Sequence, residues 1–272
     1  MKTSTSLTDS LKSIFAAVVI PVEIGLAIVI YLFVLGNPSN FQGNDPTNHP
    51  LPGNYLGIVY KGGFIVPILI SLLMMVLTFG IERILTIGRA KGKGNIKNFV
   101  QKIRALLSAN NVGQALTECD HQRGSVANVV KAGLTKYGEL SKNQGMDTDK
   151  KVLLIQKDIE ETTQLEMPML EKNLVIIATI ASIATLLGLL GTVLGMIKAF
   201  AALATAGAPD AVALANGISE ALINTALGIG TSALAIILYN YFTSKIDALT
   251  YGIDEASYSI IQNFTTQSKG NA

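Results

Sequence analysis

Four stretches of the chain are apolar for long enough to cross a membrane, and the third carries the most information. From Asn173 to Ile197 the sequence NLVIIATIASIATLLGLLGTVLGMI runs 25 residues without a charge and is closed by Lys198. At about 1.5 Å per residue, such a helix exceeds the roughly 30 Å of hydrocarbon in a bilayer. One side of it is polar and small. On a helix Ser182, Thr185 and Thr192 fall within an arc of about 80°, with Gly188, Gly191 and Gly195 beside them. Glycines admit a neighbouring backbone, and hydroxyls bond across helices or line a wet path; a lipid-facing anchor gains from neither.

The remaining apolar runs complete a four-span pattern. Ser13 to Leu35 is too long for the core of a signal peptide, holds Pro21 and Glu23, and lacks a small-residue cleavage pattern, so it predicts an uncleaved helix. Glu23 then sits near mid-membrane at a cost of about 2–3 kcal/mol, and must face protein or water. It is either a functional acid or a carboxyl that locks helix packing. Gly36 to Lys61, rich in Gly, Pro and Asn, predicts a loop. Gly62 to Ile81 is a second run of 20 uncharged residues, ended by Glu82 and Arg83. After a short turn around Pro209 and Asp210, the last span runs from about Ala213 to Thr243 with Glu220 as its only charge. On its wheel Gly217, Glu220, Ala221, Asn224, Thr225, Gly228, Thr231, Ser232 and Tyr239 share an arc of about 140°, which must face protein or water.

Composition agrees with this pattern, since 49% of residues are hydrophobic, 15% are charged and the mean hydropathy is +0.43. One water-soluble core is therefore the wrong picture. Charge changes the picture through its distribution: Arg89 to Arg104 holds six basic residues and no acid. The positive-inside rule makes that side cytoplasmic, with the N-terminus inside, the Pro-rich loop outside and the polar tail from Lys245 inside. Residues 88–172 turn polar, with helical spacing in KNFVQKIRALL, VANVVKAGL and KKVLLIQKDIEETTQLEMPMLEK, and predict cytoplasmic extensions plus short connecting helices. The lone Cys119 excludes an internal disulfide framework. Of Glu118, Cys119, Asp120 and His121 only Glu118 and His121 share a helix face, so no metal site is expected, and neither is a cofactor, nucleic-acid binding or catalysis. The last two spans hold hydroxyls and one acid but no second intramembrane acid or base, so a proton relay needs a carrier from elsewhere.

The runs IASIATLLGLLGTVLGMIKAF and NGISEALINTALGIGTSALAIILYNYF resemble the MotA/TolQ/ExbB proton channel family, most closely its ExbB branch. The match is specific over about Leu165 to Phe242. It extends more loosely through GFIVPILISLLMMVLTFGIERIL and ALTECDHQRGSVANVVKAGLTKYGEL. The resemblance implies an all-α protein of the bacterial inner membrane, forming a five-subunit ring whose last two spans line a pore. It also implies an ExbD-like single-span partner bearing an intramembrane aspartate, and a TonB-like protein on which the work is done. The family's intramembrane glutamate matches Glu220, its pore-facing threonine Thr225, and its GLLGTV glycines Gly188 and Gly191. The family's threonine on the preceding span is Ile183 here, and its proline two residues later is Thr185. The Ser13–Leu35 helix is extra to the three-span ExbB core.

The domains expected are thus 1–61 (extra span and outer loop), 62–87 (span), 88–172 (cytoplasmic helices), 173–244 (pore-lining pair) and 245–272 (tail). A TolQ-like or motor-stator subunit is the related alternative. A secondary transporter would call for inverted repeats and broken midplane helices, which these spans lack. A plain scaffold leaves Glu220 and Glu23 as unexplained costs. The topology predicts that cysteines placed at His49 and Lys93 react oppositely with an impermeant thiol reagent added to intact cells, His49→Cys labelling and Lys93→Cys not; labelling of both would overturn it.

Overall fold

The computed structural model describes residues 7–143, 145–204 and 210–270, with side chains from residue 15 to residue 267. Among these residues there are nine α-helices and no strand beyond one isolated bridge between Phe41 and Pro50. In order they are α1 (Leu7–Val29), α2 (Tyr55–Tyr60), α3 (Ile65–Lys91), α4 (Ile96–Ser108), α5 (Val112–Gln122), α6 (Gly124–Ser141), α7 (Thr148–Glu171), α8 (Leu174–Leu203) and α9 (Ala211–Gly270). Four of the helical stretches are long and apolar enough to cross a membrane. Most of the expected turn around Pro209 lies outside the described residues. Asp210 is described, and its Oδ1 accepts from the amides of Val212 (3.0 Å) and Ala213 (2.9 Å), capping α9.

One compact unit comprises the chain up to Gly80 together with Val175–Tyr239. It is built inside out relative to a soluble bundle. Large apolar side chains such as Val22, Phe33, Leu77, Leu186 and Phe200 are exposed, as a lipid solvent allows, while Val66, Leu69, Val76 and Phe79 are buried. Helix α1 continues as a π-turn over Ile30–Leu35, and Phe15 meets Phe79 edge to face at 6.0 Å. The segment expected as a loop is more ordered than its Gly and Pro content suggests. Two 3-10 turns, Pro38–Asn40 and Gln42–Asn44, precede α2. Asparagines supply the missing bonds: buried Asn40 donates to the carbonyls of Val34 (2.8 Å) and Leu35 (3.0 Å), and Asn54 Oδ1 accepts from Gly57 N (3.1 Å) to cap α2.

The second unit comprises Ile81–Leu174 and the chain from Asn240 on. Here α4 to α7 and the second half of α9 enclose an apolar core that includes Phe99, Ile103, Leu134, Ile155, Ile253 and Phe264. Each such side chain contributes roughly 1.5–3 kcal/mol by leaving water. The stretch expected as a polar tail is instead the continuation of α9, a helix of 60 residues. The reason is a stripe the overall polarity hides: Ile246, Leu249, Ile253, Ala256, Ile260 and Phe264 recur every three or four residues and are all buried. Asn263 secures it, donating to Leu107 O (3.0 Å), while the Tyr137 hydroxyl lies 2.9 Å from the amide oxygens of both Asn263 and Gln267.

Around Cys119 the acids are already engaged, Glu118 with Lys102 at 2.9 Å and Asp120 with Lys131 at 2.5 Å. Burial, reinforced by the Asp120 charge, pushes the Cys119 thiol up to about 12, so it stays protonated and unreactive near neutrality.

The most demanding group in this unit is Arg83, whose side chain is 2% exposed. Its Nε and Nη2 grip both oxygens of Glu82 (2.6 and 2.5 Å), and Nη1 donates to the carbonyls of Leu170 (3.0 Å) and Met169 (3.3 Å) in the last turn of α7. Thr86 and Asn173 also donate to Glu82, at 2.7 and 3.2 Å. A guanidinium fork suits this task, because it binds a carboxylate in bidentate fashion and still has a donor for helix-terminal carbonyls. Arg83→Leu is predicted to cost about 3 kcal/mol by stranding Glu82 and two carbonyls, read as a lowered unfolding midpoint in detergent, with Arg83→Lys recovering only part of the loss.

Candidate functional site

The site lies along the seam of α8 and the first half of α9. Beyond Leu174 at its start, the buried positions on α8 are Ile177, Ile180, Ala184, Gly188, Gly191, Gly195 and Ala199, spaced by three and four residues. They meet the buried face of α9, which runs Gly217, Glu220, Ala221, Asn224, Gly228, Thr231 and Ser232. The two backbones come so close that side chains are excluded. A Cβ on Gly228 would lie 2.6 Å from Ala184 O and 2.8 Å from Gly188 Cα, and one on Gly195 would lie 2.6 Å from Ala221 N. One on Gly217 would meet Ala199 N, also at 2.6 Å. Gly191 leaves the space that the Asn224 side chain fills.

This close approach buries polar groups in a row. Nearest the link between the spans, Glu220, 7% exposed, receives Lys198 Nζ at 2.6 and 2.8 Å on its two oxygens. Lys198 remains 54% exposed, so the carboxylate is sealed in the protein while the ammonium sits at its edge. The other wall of this cradle is Gly63, in the turn before α3: its φ is +75°, and a Cβ there would lie 2.7 Å from Glu220 Oε1. One turn further along α9, Asn224 is fully buried and donates to Gly62 O at 2.8 Å, while its own Oδ1 has no hydrogen-bond partner among the described residues. Next, the hydroxyls of Thr192 and Thr225 share a hydrogen bond across the seam. Thr225 also lies 3.1 Å from Ala221 O, and Thr192 lies 3.2 Å from Gly188 O. Beyond them Thr231 is buried, and Ser232 Oγ donates to Ala181 O at 2.5 Å, tying the helices together again.

Thr192, Glu220, Asn224, Thr225 and Thr231 are therefore brought to one seam with Gly188, Gly191, Gly195, Gly217 and Gly228. Thr185 and Ser182 are not. Thr185 is half-buried, Ser182 is exposed, and neither makes a side-chain hydrogen bond within the described chain. They turn toward the apolar strip of Ile183, Leu186 and Leu190 that α8 leaves uncovered. Glu23 is buried on α1, and its Oε2 has no hydrogen-bond partner among the described residues.

Sequence reasoning missed Lys198, treating it only as the end of a span and finding no base near Glu220. The signal was present: the only charges of the last two apolar spans, Lys198 and Glu220, are opposite in sign and both within a few turns of the connection. Gly62 and Gly63 were missed as well, and there the contact with α9 has no local signature.

These features define a multi-span helical membrane protein with a close-packed interhelical seam carrying hydroxyls, one amide and one ion pair. Residues 121–255 match the MotA/TolQ/ExbB proton channel family. That range holds every seam residue named on α8 and α9; Glu23, Gly62 and Gly63 fall outside it. Among similar proteins are the Tol-Pal system protein TolQ of Pseudomonas aeruginosa, 32% identical over 46% of this chain and 54% of its own length, and the biopolymer transport protein ExbB of Helicobacter pylori, 42% identical over 30% and 56%. A putative biopolymer transport protein ExbB homolog of Methanothermobacter thermautotrophicus is 31% identical over 49% of this chain and 43% of its own length. The chain spans about half the length of the curated relatives it matches.

The seam makes a sharp prediction. Gly228→Val drives a side chain into backbone that has nothing flexible to yield, so the helix pair should separate and the unfolding midpoint fall steeply. Gly230→Ala, with nothing within 4 Å of the new Cβ, should be neutral or stabilising by up to about 1 kcal/mol through helix propensity. Equal thermal melts for the two variants in detergent would show that close approach is not what holds the pair.

Proposed function

We propose that this chain is the multi-span subunit of a proton-driven energiser in the bacterial inner membrane. On this reading five copies form a ring around the single-span helix of an ExbD-like partner whose intramembrane aspartate carries the proton. The last two spans line the path, both termini are cytoplasmic, and the work is delivered to a TonB-type protein for outer-membrane import. A proton falling through the membrane potential releases about 2.3 kcal/mol per 100 mV, and a path for it needs sparse hydroxyls and a titratable acid between dry walls. The observation that carries the reading is the row of buried Glu220 and Asn224 and half-buried Thr192 and Thr225 along one seam inside the family-matched region. The orphaned Asn224 Oδ1 adds support, since a buried acceptor without a donor is a place where a hydroxyl, a water or a partner group gains a bond. Thr185 and Ser182, at the uncovered side of α8, are the hydroxyls this reading places against neighbouring chains.

A second reading, a TolQ-like role in envelope maintenance, is favoured by the TolQ relatives, which include one of Haemophilus influenzae at 37% identity over 101 residues. Restoration of iron-siderophore uptake against restoration of detergent resistance, in strains lacking one system or the other, separates the two.

Glu220→Gln keeps size and hydrogen bonding but removes the charge that Lys198 meets, and Thr225→Val keeps shape but removes a seam hydroxyl. Both variants are expected to insert, assemble and co-purify with the partner while proton conductance in vesicles drops at least about tenfold, a loss of 1.4 kcal/mol or more. Normal conductance in Glu220→Gln, with only Glu220→Ala disrupting assembly, would reduce Glu220 to packing.

A further inference from the structure

The second unit contains a groove of about 720 Å³ between the end of α3, the start of α4 and the middle of α9, and nothing in the proposed proton path uses it. Its wall combines two characters. Apolar side chains line it, among them Ile84, Ile87, Phe242 and Leu249. So do three cations, Lys91, Lys97 and Lys245, against a single acid, Glu255. None of the three lysines is in an ion pair among the described residues, and Lys245 Nζ lies 5.3 Å over the ring of Tyr241, which also lines the groove.

Helix α4 adds a directional contribution. Its amino end, at Asn95, Ile96 and Lys97, lines the groove; Asn95 Oδ1 caps the Lys97 amide at 2.9 Å, and the first turn holds no acidic side chain, so no carboxylate there opposes an anion. The floor is closed by the approach of Ile96 to Gly252, where a Cβ would lie 2.6 Å from Ile96 Cγ2. An apolar trough bordered by three cations and a helix amino end, beside an aromatic ring, fits a molecule that carries both an apolar chain and an anionic group. A free anion would leave the apolar half wet, and a neutral lipid would leave the lysines unanswered.

We propose that this groove seats an anionic phospholipid, its phosphate against Lys91, Lys97 and Lys245 and an acyl chain along Ile84, Ile87 and Phe242. The site attaches the membrane surface to the junction of α3, α4 and α9.

The test uses the full chain purified in mild detergent and offered equal amounts of phosphatidylglycerol and phosphatidylcholine with matched acyl chains, with retained lipid read by native mass spectrometry. Phosphatidylglycerol should be retained at least about tenfold over phosphatidylcholine, as expected when lysines near a surface each favour anionic lipid. Lys91→Gln/Lys97→Gln/Lys245→Gln should bring the ratio close to one. Lys142→Gln/Lys150→Gln, which alters exposed lysines outside the groove, should leave it unchanged, and identical elution of all forms checks folding and assembly. A ratio near one in the unaltered chain, or a preference that survives the triple change, overturns the proposal. So does displacement of all retained phosphatidylglycerol by millimolar inorganic phosphate, which marks a plain anion site. Copy-to-copy cross-linking through Lys97→Cys with a short bismaleimide also overturns it, because the groove is then filled by a second copy.

Discussion

The approach of α8 to α9 is the constraint on which the membrane-embedded unit depends. Glycine is a poor helix former, costing up to about 1 kcal/mol per position relative to alanine, yet five glycines lie on the facing sides of this pair. In lipid there is no hydrophobic drive between apolar helices, so what holds them is contact made possible by small residues, together with bonds between polar groups. The Thr192–Thr225 bond, the Ser232–Ala181 bond and the Lys198–Glu220 pair all cross the same seam. Each is available only because the glycines let the backbones close. Once closed, the seam encloses a row of polar groups between otherwise apolar helices.

A second regularity runs through both units. At four places where the helical ladder is interrupted, a side-chain donor occupies the freed carbonyls: Asn40 at Val34 and Leu35, Arg83 at Met169 and Leu170, Asn224 at Gly62, and Asn263 at Leu107. An unmet carbonyl away from water is expensive, and an amide or guanidinium on a neighbouring element is a donor that also fixes where that element lies. The same residues that complete the hydrogen bonding therefore specify the packing.

Much of this was legible along the chain. Span lengths, the helical spacing of α4, α6 and α7, the glycine stripe of α8 and the polar arc of α9 are local properties, set by rise per residue and a 3.6-residue period. The continuation of α9 to Gly270 was equally local and was obscured only because polar residues outnumber the apolar ones that form its stripe. Ser182 illustrates the opposite limit: it shares a broad face with Thr192, but a helix wheel does not say where a neighbour's edge falls, and it is exposed.

What the sequence by itself determined is therefore the all-helical membrane architecture, the family, and which faces of α8 and α9 are made for packing, because hydrophobic length and periodicity act within one element. Only the tertiary structure decided which groups meet: Lys198 on Glu220, Gly63 behind that carboxylate, Arg83 on the end of α7, and three lysines around one groove. These pairings depend on the register and distance between elements far apart in the chain, and that register is set by the sum of many contacts rather than by any one stretch of residues.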